Sequence, residues 1–392
     1  MIDPETGQTR RKTWYGDTEA EARSKMVDAL ADYRKGAPVR AGRELTLRGW
    51  YELWLADLQV RLRTRLRYVQ CMAHVLPVLG DRPLSRITPT AVSALIRQLH
   101  REGAPTTRTK AKKKGDPVQH RPLKTRGANR VRDVLRNCLA EAQRQGRVNR
   151  NAAALARPLP EDDVVEMQTL DPAKVAVFLD LAANDPDGSL WVFSLATGTR
   201  LGEAQGLTAT NVIGYADDFP KEMGVAQIRQ EISRVQGRWL IEPPKTKRGR
   251  RDIRLPEAAI EALRRERARQ AELQLVAKVW PAPFDGASTI RDPPKTFAGF
   301  LFLAENGQPR NPPAVSRRMK QAMRKAGIDP IRFHDLRHSA GSWQHALGVP
   351  IAEISKNLGH SRNSTTYDMY VHATDRTGSL TAEAMNRALR GA

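Results

Sequence analysis

Cysteine is nearly missing from this chain of 392 residues: only Cys71 and Cys138 occur, and no C-x-x-C pair. A disulfide scaffold or a cysteine zinc site is therefore not expected, and two thiols within apolar-periodic stretches read as buried residues in a reducing cytosol. Long apolar runs are also absent, and none approaches the ~20 residues that a membrane-spanning helix needs. The opening Met1-Ile2-Asp3-Pro4-Glu5 lacks the basic start and apolar core of a signal peptide. There is no amphipathic basic helix or lipidation signal to suggest a membrane surface, and no internal repeat or low-complexity tract.

Acidic residues are scarce relative to basic ones, 43 Asp and Glu against 65 Lys and Arg, for a net charge of +22 spread along the whole length. Such a field draws a polyanion at long range, and each phosphate neutralised releases counterions. A polyanion is the partner that this charge implies. Arginine outnumbers lysine, as in proteins of GC-rich genomes. The length exceeds one hydrophobic core and favours two or three domains.

The most informative residues lie near the C-terminus: Arg332-Phe333-His334-Asp335-Leu336-Arg337-His338, then Leu358-Gly359-His360, then Tyr370-Val371-His372. His334 and Arg337, three apart, share one face of a helix. A guanidinium fork matches phosphate oxygens, and a neighbouring histidine can donate or shuttle a proton. A tyrosine hydroxyl nearby could attack phosphorus. Together these parts suggest phosphodiester chemistry through a covalent enzyme intermediate.

The pattern H-x-x-R, L-G-H, and a tyrosine ten residues later resembles the signature of the tyrosine recombinases, the phage-integrase family. Ala196-Thr197-Gly198-Thr199-Arg200-Leu201-Gly202-Glu203-Ala204 is similar to that family's first arginine box, and Pro244-Lys245-Thr246-Lys247-Arg248-Gly249 to its lysine hairpin. The resemblance implies a mainly helical fold with a small antiparallel sheet. It also implies three parts: a partial arm-type DNA-binding unit (residues 1–36), a helical core-binding domain (45–158) and a catalytic domain with a C-terminal docking helix (169–392). By family, double-stranded DNA is the partner, and four protomers act on two synapsed duplexes, through 3′-phosphotyrosyl links, with neither metal nor cofactor. An excision factor or a host DNA-bending protein is a possible further partner, and the expected location is the bacterial cytoplasm, at the nucleoid.

The resemblance assigns roles as follows. Tyr370 is the nucleophile, with Tyr367 a rival on the same helical face. Arg200 and Arg337 bind the non-bridging oxygens of the scissile phosphate, where charge develops in the transition state. Lys245 protonates the departing 5′ oxygen, with Lys247 competing for that role. His334 assists proton transfer, His360 hydrogen-bonds the phosphate, and Glu203 orients its neighbours. His338 and His372 are supporting. Plainer readings stand beside these: a core tyrosine, exposed helix arginines, a phosphate-gripping loop lysine, helix histidines bonded to backbone, and an ordinary Glu203 salt bridge. His334 and His338, four apart, also fit a zinc motif, although Asp335 is short for its base and no third ligand has a frame.

Periodicity supplies the elements. Asp17-Thr18 caps a helix from about Glu19 to Arg34, after a turn and strand that carry Arg10, Arg11 and Lys12. Trp50, Trp54, Leu55 and Leu58, then Tyr68, Met72, Val75 and Leu76, then a helix from Pro89 to about His100, then Arg130 to Ala142, mark four helices. Between the last two, Ala104 to Gly127 reads as a mobile basic loop, with Lys112, Lys113, Lys114 and Lys124 as DNA contacts. An acidic break, Glu161-Asp162-Asp163, marks the interdomain linker. Further on, Asp171-Pro172 opens a helix to about Ala183 and Leu190 to Ala196 is a buried helix. Val225–Val235, Trp239–Ile241 and Arg251–Leu255 form one three-stranded sheet that turns at Gln236-Gly237 and at the Lys245 loop. A charged helix runs from Glu257 to about Val276, Ala277 to Phe297 is a surface excursion, and Val315 to Lys325 is a basic helix. Ser379 to Leu389 resembles the helix that docks on a neighbouring protomer, or is an ordinary closing helix. A type IB topoisomerase and a non-catalytic DNA-binding protein on a recombinase scaffold remain as alternative functions.

Overall fold

The computed structural model describes residues 13, 15–34, 45–103, 121–160, 168–216, 224–290 and 292–360, with no side chains described for 28–34. Tyr370, Tyr367, His372, Arg10, Arg11, Lys12, Lys112, Lys113 and Lys114, the acidic break and the closing helix lie outside the described residues. The chain divides into two units, Met1–Val165 and Glu166–Ala392.

The first unit contains α1 (Glu19–Arg34), α2 (Leu47–Asp57), α3 (Leu62–Leu79), α4 (Pro89–Arg101), α5 (Thr125–Arg144) and a single turn, α6 (Ala152–Leu155). Short polar side chains start four of these helices, α1, α2, α4 and α6. Thr18 Oγ1 accepts from Glu21 N, Thr46 from Gly49 N, Thr88 from Ala91 N, and Asn151 from Ala153 N and Ala154 N. Each satisfies a backbone donor that the first turn leaves unpaired. The core joins Trp50, Trp54, Met72, Val75, Leu95, Leu135 and Cys138. Trp50 Nε1 donates to Cys138 O, so the indole is buried with its donor satisfied. Helix α5 begins at Thr125, five residues before the expected start. Leu123 N bonds Leu99 O and His100 Nδ1 meets Leu123 O. The C-terminal end of the expected loop is therefore pinned to the end of α4. Lys124 stands exposed at the N-cap of α5.

The second unit holds α7 (Val175–Ala183), α8 (Gly188–Thr197), α9 (Leu201–Gln205), β1 (Val212–Ile213), β2 (Val225–Ile228), β3 (Glu231–Val235), β4 (Arg238–Glu242) and β5 (Arg251–Arg254). After these come α10 (Glu257–Val276), β6 (Ala287–Ser288), α11 (Pro312–Lys325), α12 (Phe333–Ala346) and α13 (Ile351–Leu358). Helix α8 is its axis: Leu190, Trp191 and Phe193 are fully enclosed, and α7, α10 and α12 pack around it. A helix that is apolar on every side must lie in a core. Burying each such side chain contributes roughly 1.5–3 kcal/mol.

The strands depart from the single sheet that alternation suggests. The stretch 225–235 breaks at Arg229-Gln230, giving an antiparallel sheet ordered β1-β2-β5 and a second ordered β3-β4-β6, in which β6 runs parallel to β4. Side chains hold the break open: Arg229 Nη1 donates to Ile228 O and Arg251 O, and Gln230 Nε2 to Gly206 O. The expected turn is present, with Gln236 at φ 49° and Gly237 at φ 81°. Both positive values belong to the turn whose twist matches paired strands. Residues 277–297 are more than a surface excursion. Ala282, Phe297, Phe300 and Leu303 close a small core with Ile232, Trp239 and Ile241, and Phe284 meets Phe297 edge-on at 5.5 Å. Irregular backbone hid this packing, because aromatics without a period carry no pattern.

Candidate active site

Two helices end at one place, beside a third. Helix α8 stops at Gly198, whose φ of 65° suits glycine, and a Cβ there would lie 2.4 Å from Leu358 Cδ2. Helix α13 stops likewise at Gly359, φ 68°, where a Cβ would lie 3.0 Å from both Arg248 O and Arg251 Nη1. The glycines of the two motifs therefore permit left-handed helix ends and close approach of the neighbouring chain. Arg337, on α12, is 1% exposed and joins these ends: Nη1 donates to Gly198 O at 2.8 Å, and Nη2 to Leu358 O.

Arg200 sits at the N-cap of α9 with its side chain 39% exposed. Glu203, one turn on and 1% exposed, accepts from Arg200 Nη1 at 2.7 Å and from Arg200 N at 3.0 Å. Arg251 reaches the same carboxylate from β5, with Nη1 at 3.2 Å and Nη2 at 2.9 Å. Burial alone would raise the Glu203 carboxyl, but Arg251, Arg200 and Arg337 hold it down to about 2. Gly202 is needed because a Cβ would come within 2.7 Å of Ile232 O, on the strand that α9 covers.

His334, on the exposed side of α12, and the buried His360 face these guanidinium groups. Burial and then His338, Arg337 and Arg200 push His334 down to about 4. Burial and then Arg337 and Arg200 push His360 down to about 3. Both imidazoles are neutral at pH 7, one nitrogen of each able to accept a proton. His338 stacks edge-on against His334 at 4.9 Å, and burial lowers its pKa too. Asp335 is committed to Arg332, accepting from its N at 2.7 Å and Nη2 at 2.6 Å. Among the described residues no three His, Cys, Asp or Glu side chains gather to hold a metal ion.

Of the expected residues, the structure thus brings together Arg200, Glu203, His334, Arg337 and His360. Lys245 is exposed at the end of β4, in a loop that returns to the cluster through Gly249 and Arg251. In that loop Thr246 Oγ1 accepts from Gly249 N. Arg251 was missed by sequence reasoning. One arginine among Arg248, Arg250, Arg251 and Arg254 carries no distinguishing signal, except that it alternates with exposed Arg250 and Asp252 on the inward side of β5.

Residues 220–377 match the family model described as "Phage integrase family". These residues carry a domain of that family, the tyrosine recombinases. Among curated relatives, a "Tyrosine recombinase XerC-like" protein of Caldanaerobacter subterraneus subsp. tengcongensis is 23% identical over 97% of this chain and 93% of its own length. An "Integrase" of Saccharopolyspora erythraea is 24% identical over 92% of this chain and 86% of its own length. Among solved structures, the Tn1549 transposon integrase with a circular intermediate DNA aligns at a TM-score of 0.66, with 20% identity, over 87% of this chain and 100% of that one. A lambda integrase tetramer bound to a Holliday junction aligns at 0.54, with 16% identity, over 96% and 92%. The family model begins after Arg200. The first arginine box therefore rests on its geometry, the shared carboxylate and the two helix ends, and not on the match.

Proposed function

We propose that this chain is a site-specific DNA recombinase, an integrase of a phage or integrative mobile element, that cuts and rejoins DNA through a 3′-phosphotyrosyl intermediate. The observation that carries the reading is the convergence of Arg200, Arg337, His334 and His360, from three separate motifs, on one cationic site. A scissile phosphate would replace the water around those guanidinium groups, and its negative charge would relieve the field that now depresses both histidines. The domain boundaries 1–36, 45–158 and 169–392 belong to this reading.

In the proposed reaction the Tyr370 hydroxyl attacks phosphorus, forming the Tyr–O–P bond while the P–O5′ bond breaks. His334, neutral at pH 7, accepts the phenol proton. Lys245 donates a proton to the leaving 5′ oxygen. Arg200 and Arg337 hold the non-bridging oxygens as charge builds, where losing one preorganised donor typically costs about 10²–10³ in rate, and His360 donates to the same phosphate. The energy of the broken phosphodiester bond is retained in the Tyr–O–P link, so no nucleotide is consumed, and a second 5′ hydroxyl reverses the step on a new strand. Arg10, Arg11, Lys12, Lys112, Lys113, Lys114 and Lys124 grip phosphates away from the reaction. The groove lined by Arg229, Arg248, Arg250, Arg254 and Lys356, with Asp252 and Glu353 among them, adds net basic surface beside the Lys245 loop. Four protomers would synapse two duplexes, with an excision factor or host DNA-bending protein setting direction.

The test is covalent capture from a pool of nicked duplexes cut from host and element DNA. Capture in a denaturation-resistant adduct with one recurring sequence supports the recombinase. Capture without sequence preference points to a topoisomerase. Binding with no adduct points to a DNA-binding protein.

A further inference from the structure

We propose that Arg251 is a positioning residue that holds the first arginine box, the lysine loop and the His360 turn in one register. The inference rests on the recombinase reading above and adds a residue that the motifs do not single out. The Arg251 side chain is 5% exposed, and its fork makes contacts in three directions. Two nitrogens meet the two oxygens of Glu203, at 3.2 and 2.9 Å. Nη1 also donates to Gly249 O, at 3.2 Å, the last turn of the loop that begins at Lys245. Nε donates to Asn357 O, in the final turn of α13, three residues before His360.

A guanidinium is rigid and planar, so fixing it fixes the planes of all its acceptors at once. Glu203 has only two oxygens, and each faces an Arg251 nitrogen as well as an Arg200 donor. Removing Arg251 leaves the carboxylate held only by Arg200, its near neighbour in sequence, whose side chain is 39% exposed, so neither is fixed any longer against β5. The lysine loop and the α13 end lose their common anchor in the same step. Packing around the fork is close, since a Cβ at Gly359 would lie 3.0 Å from Arg251 Nη1. Arg251 is enclosed and touches no substrate in this account. It acts through Arg200, Lys245 and His360. Lysine carries the same charge but one nitrogen in place of a fork.

The experiment compares wild type, Arg251→Lys, Arg251→Gln, Glu203→Gln and the double variant Arg251→Gln/Glu203→Gln. The substrate is a nicked duplex carrying the captured site, and single-turnover cleavage and DNA affinity are measured separately. A misplacement of about 1 Å can cost about 10²-fold in rate. We expect Arg251→Lys to cleave roughly 10²-fold more slowly while its DNA Kd stays within about threefold. The double variant, which removes both buried charges and so guards against misfolding, should cleave no more slowly than Glu203→Gln alone. Cleavage by Arg251→Lys near the wild-type rate overturns the proposal. So does affinity loss that matches the rate loss, or a double variant whose defects multiply. Absence of cleavage by the wild type itself defeats the recombinase reading instead.

Discussion

Replacing Glu203 by glutamine tests the electrostatics of the site. The carboxylate is 1% exposed and takes hydrogen bonds from Arg200 and Arg251. Glutamine keeps the shape but turns one acceptor into a donor that faces guanidinium donors, and it leaves two arginines uncompensated. The carboxyl group falls from 4.5 to about 2 on folding. At about 1.4 kcal/mol per pH unit this corresponds to about 3 kcal/mol at pH 7. Breaking a buried ion pair typically costs about 3–5 kcal/mol, in agreement. Because the folded value lies below the unfolded one, the stabilisation is complete above about pH 4.5. It is lost as pH falls through about 2. Urea unfolding read by pulsed hydrogen exchange on peptides from residues 188–213 reports this unit separately from residues 45–160. We expect the variant to be about 3 kcal/mol less stable at pH 7, with the difference shrinking at pH 3. A difference below about 1 kcal/mol at pH 7, or one that does not change with pH, would refute the buried carboxylate clamp.

Two further outcomes follow from the charges. His360 is held down to about 3 from 6.5, so the folded state resists its protonation and loses stability as pH falls below about 6.5. His360→Gln should show a shallower decline between pH 7 and 5 by the same exchange method, and an equal slope would contradict the assignment. Lys112, Lys113 and Lys114 changed together to alanine should flatten the plot of log affinity against log salt, at roughly 0.9 per lost phosphate contact. Specific and random duplexes should be affected alike; an unchanged slope, or a loss confined to the specific duplex, would contradict a backbone-gripping role.

What the sequence revealed depended on the physics of each segment. Helices α1 and α10 were legible to their ends, the first from its Thr18 cap and the second from the Pro256-Glu257 start. The candidate site motifs were legible because they resemble the family signature and their spacing places His334 and Arg337 on one helix face; the left-handed helix ends at Gly198 and Gly359 came only from the structure. The break at Arg229-Gln230 was not legible, since the residues on both sides alternate as one strand would. Arg251 was hidden for a different reason. In a chain this rich in arginine, only tertiary contact separates a buried guanidinium from an exposed one. The Arg310–Glu266 pair, 3% and 1% exposed, was hidden for the same reason.

The central claim is tested most directly by locating the covalent bond. Wild-type protein and Tyr370→Phe would each be incubated with the captured nicked duplex, denatured, digested with protease and nuclease, and analysed by mass spectrometry. The account predicts a nucleotide-modified peptide in the wild type with the adduct on Tyr370, and none in the phenylalanine variant, which should bind the duplex as tightly. An adduct on Tyr367, or one that persists in Tyr370→Phe, would contradict it.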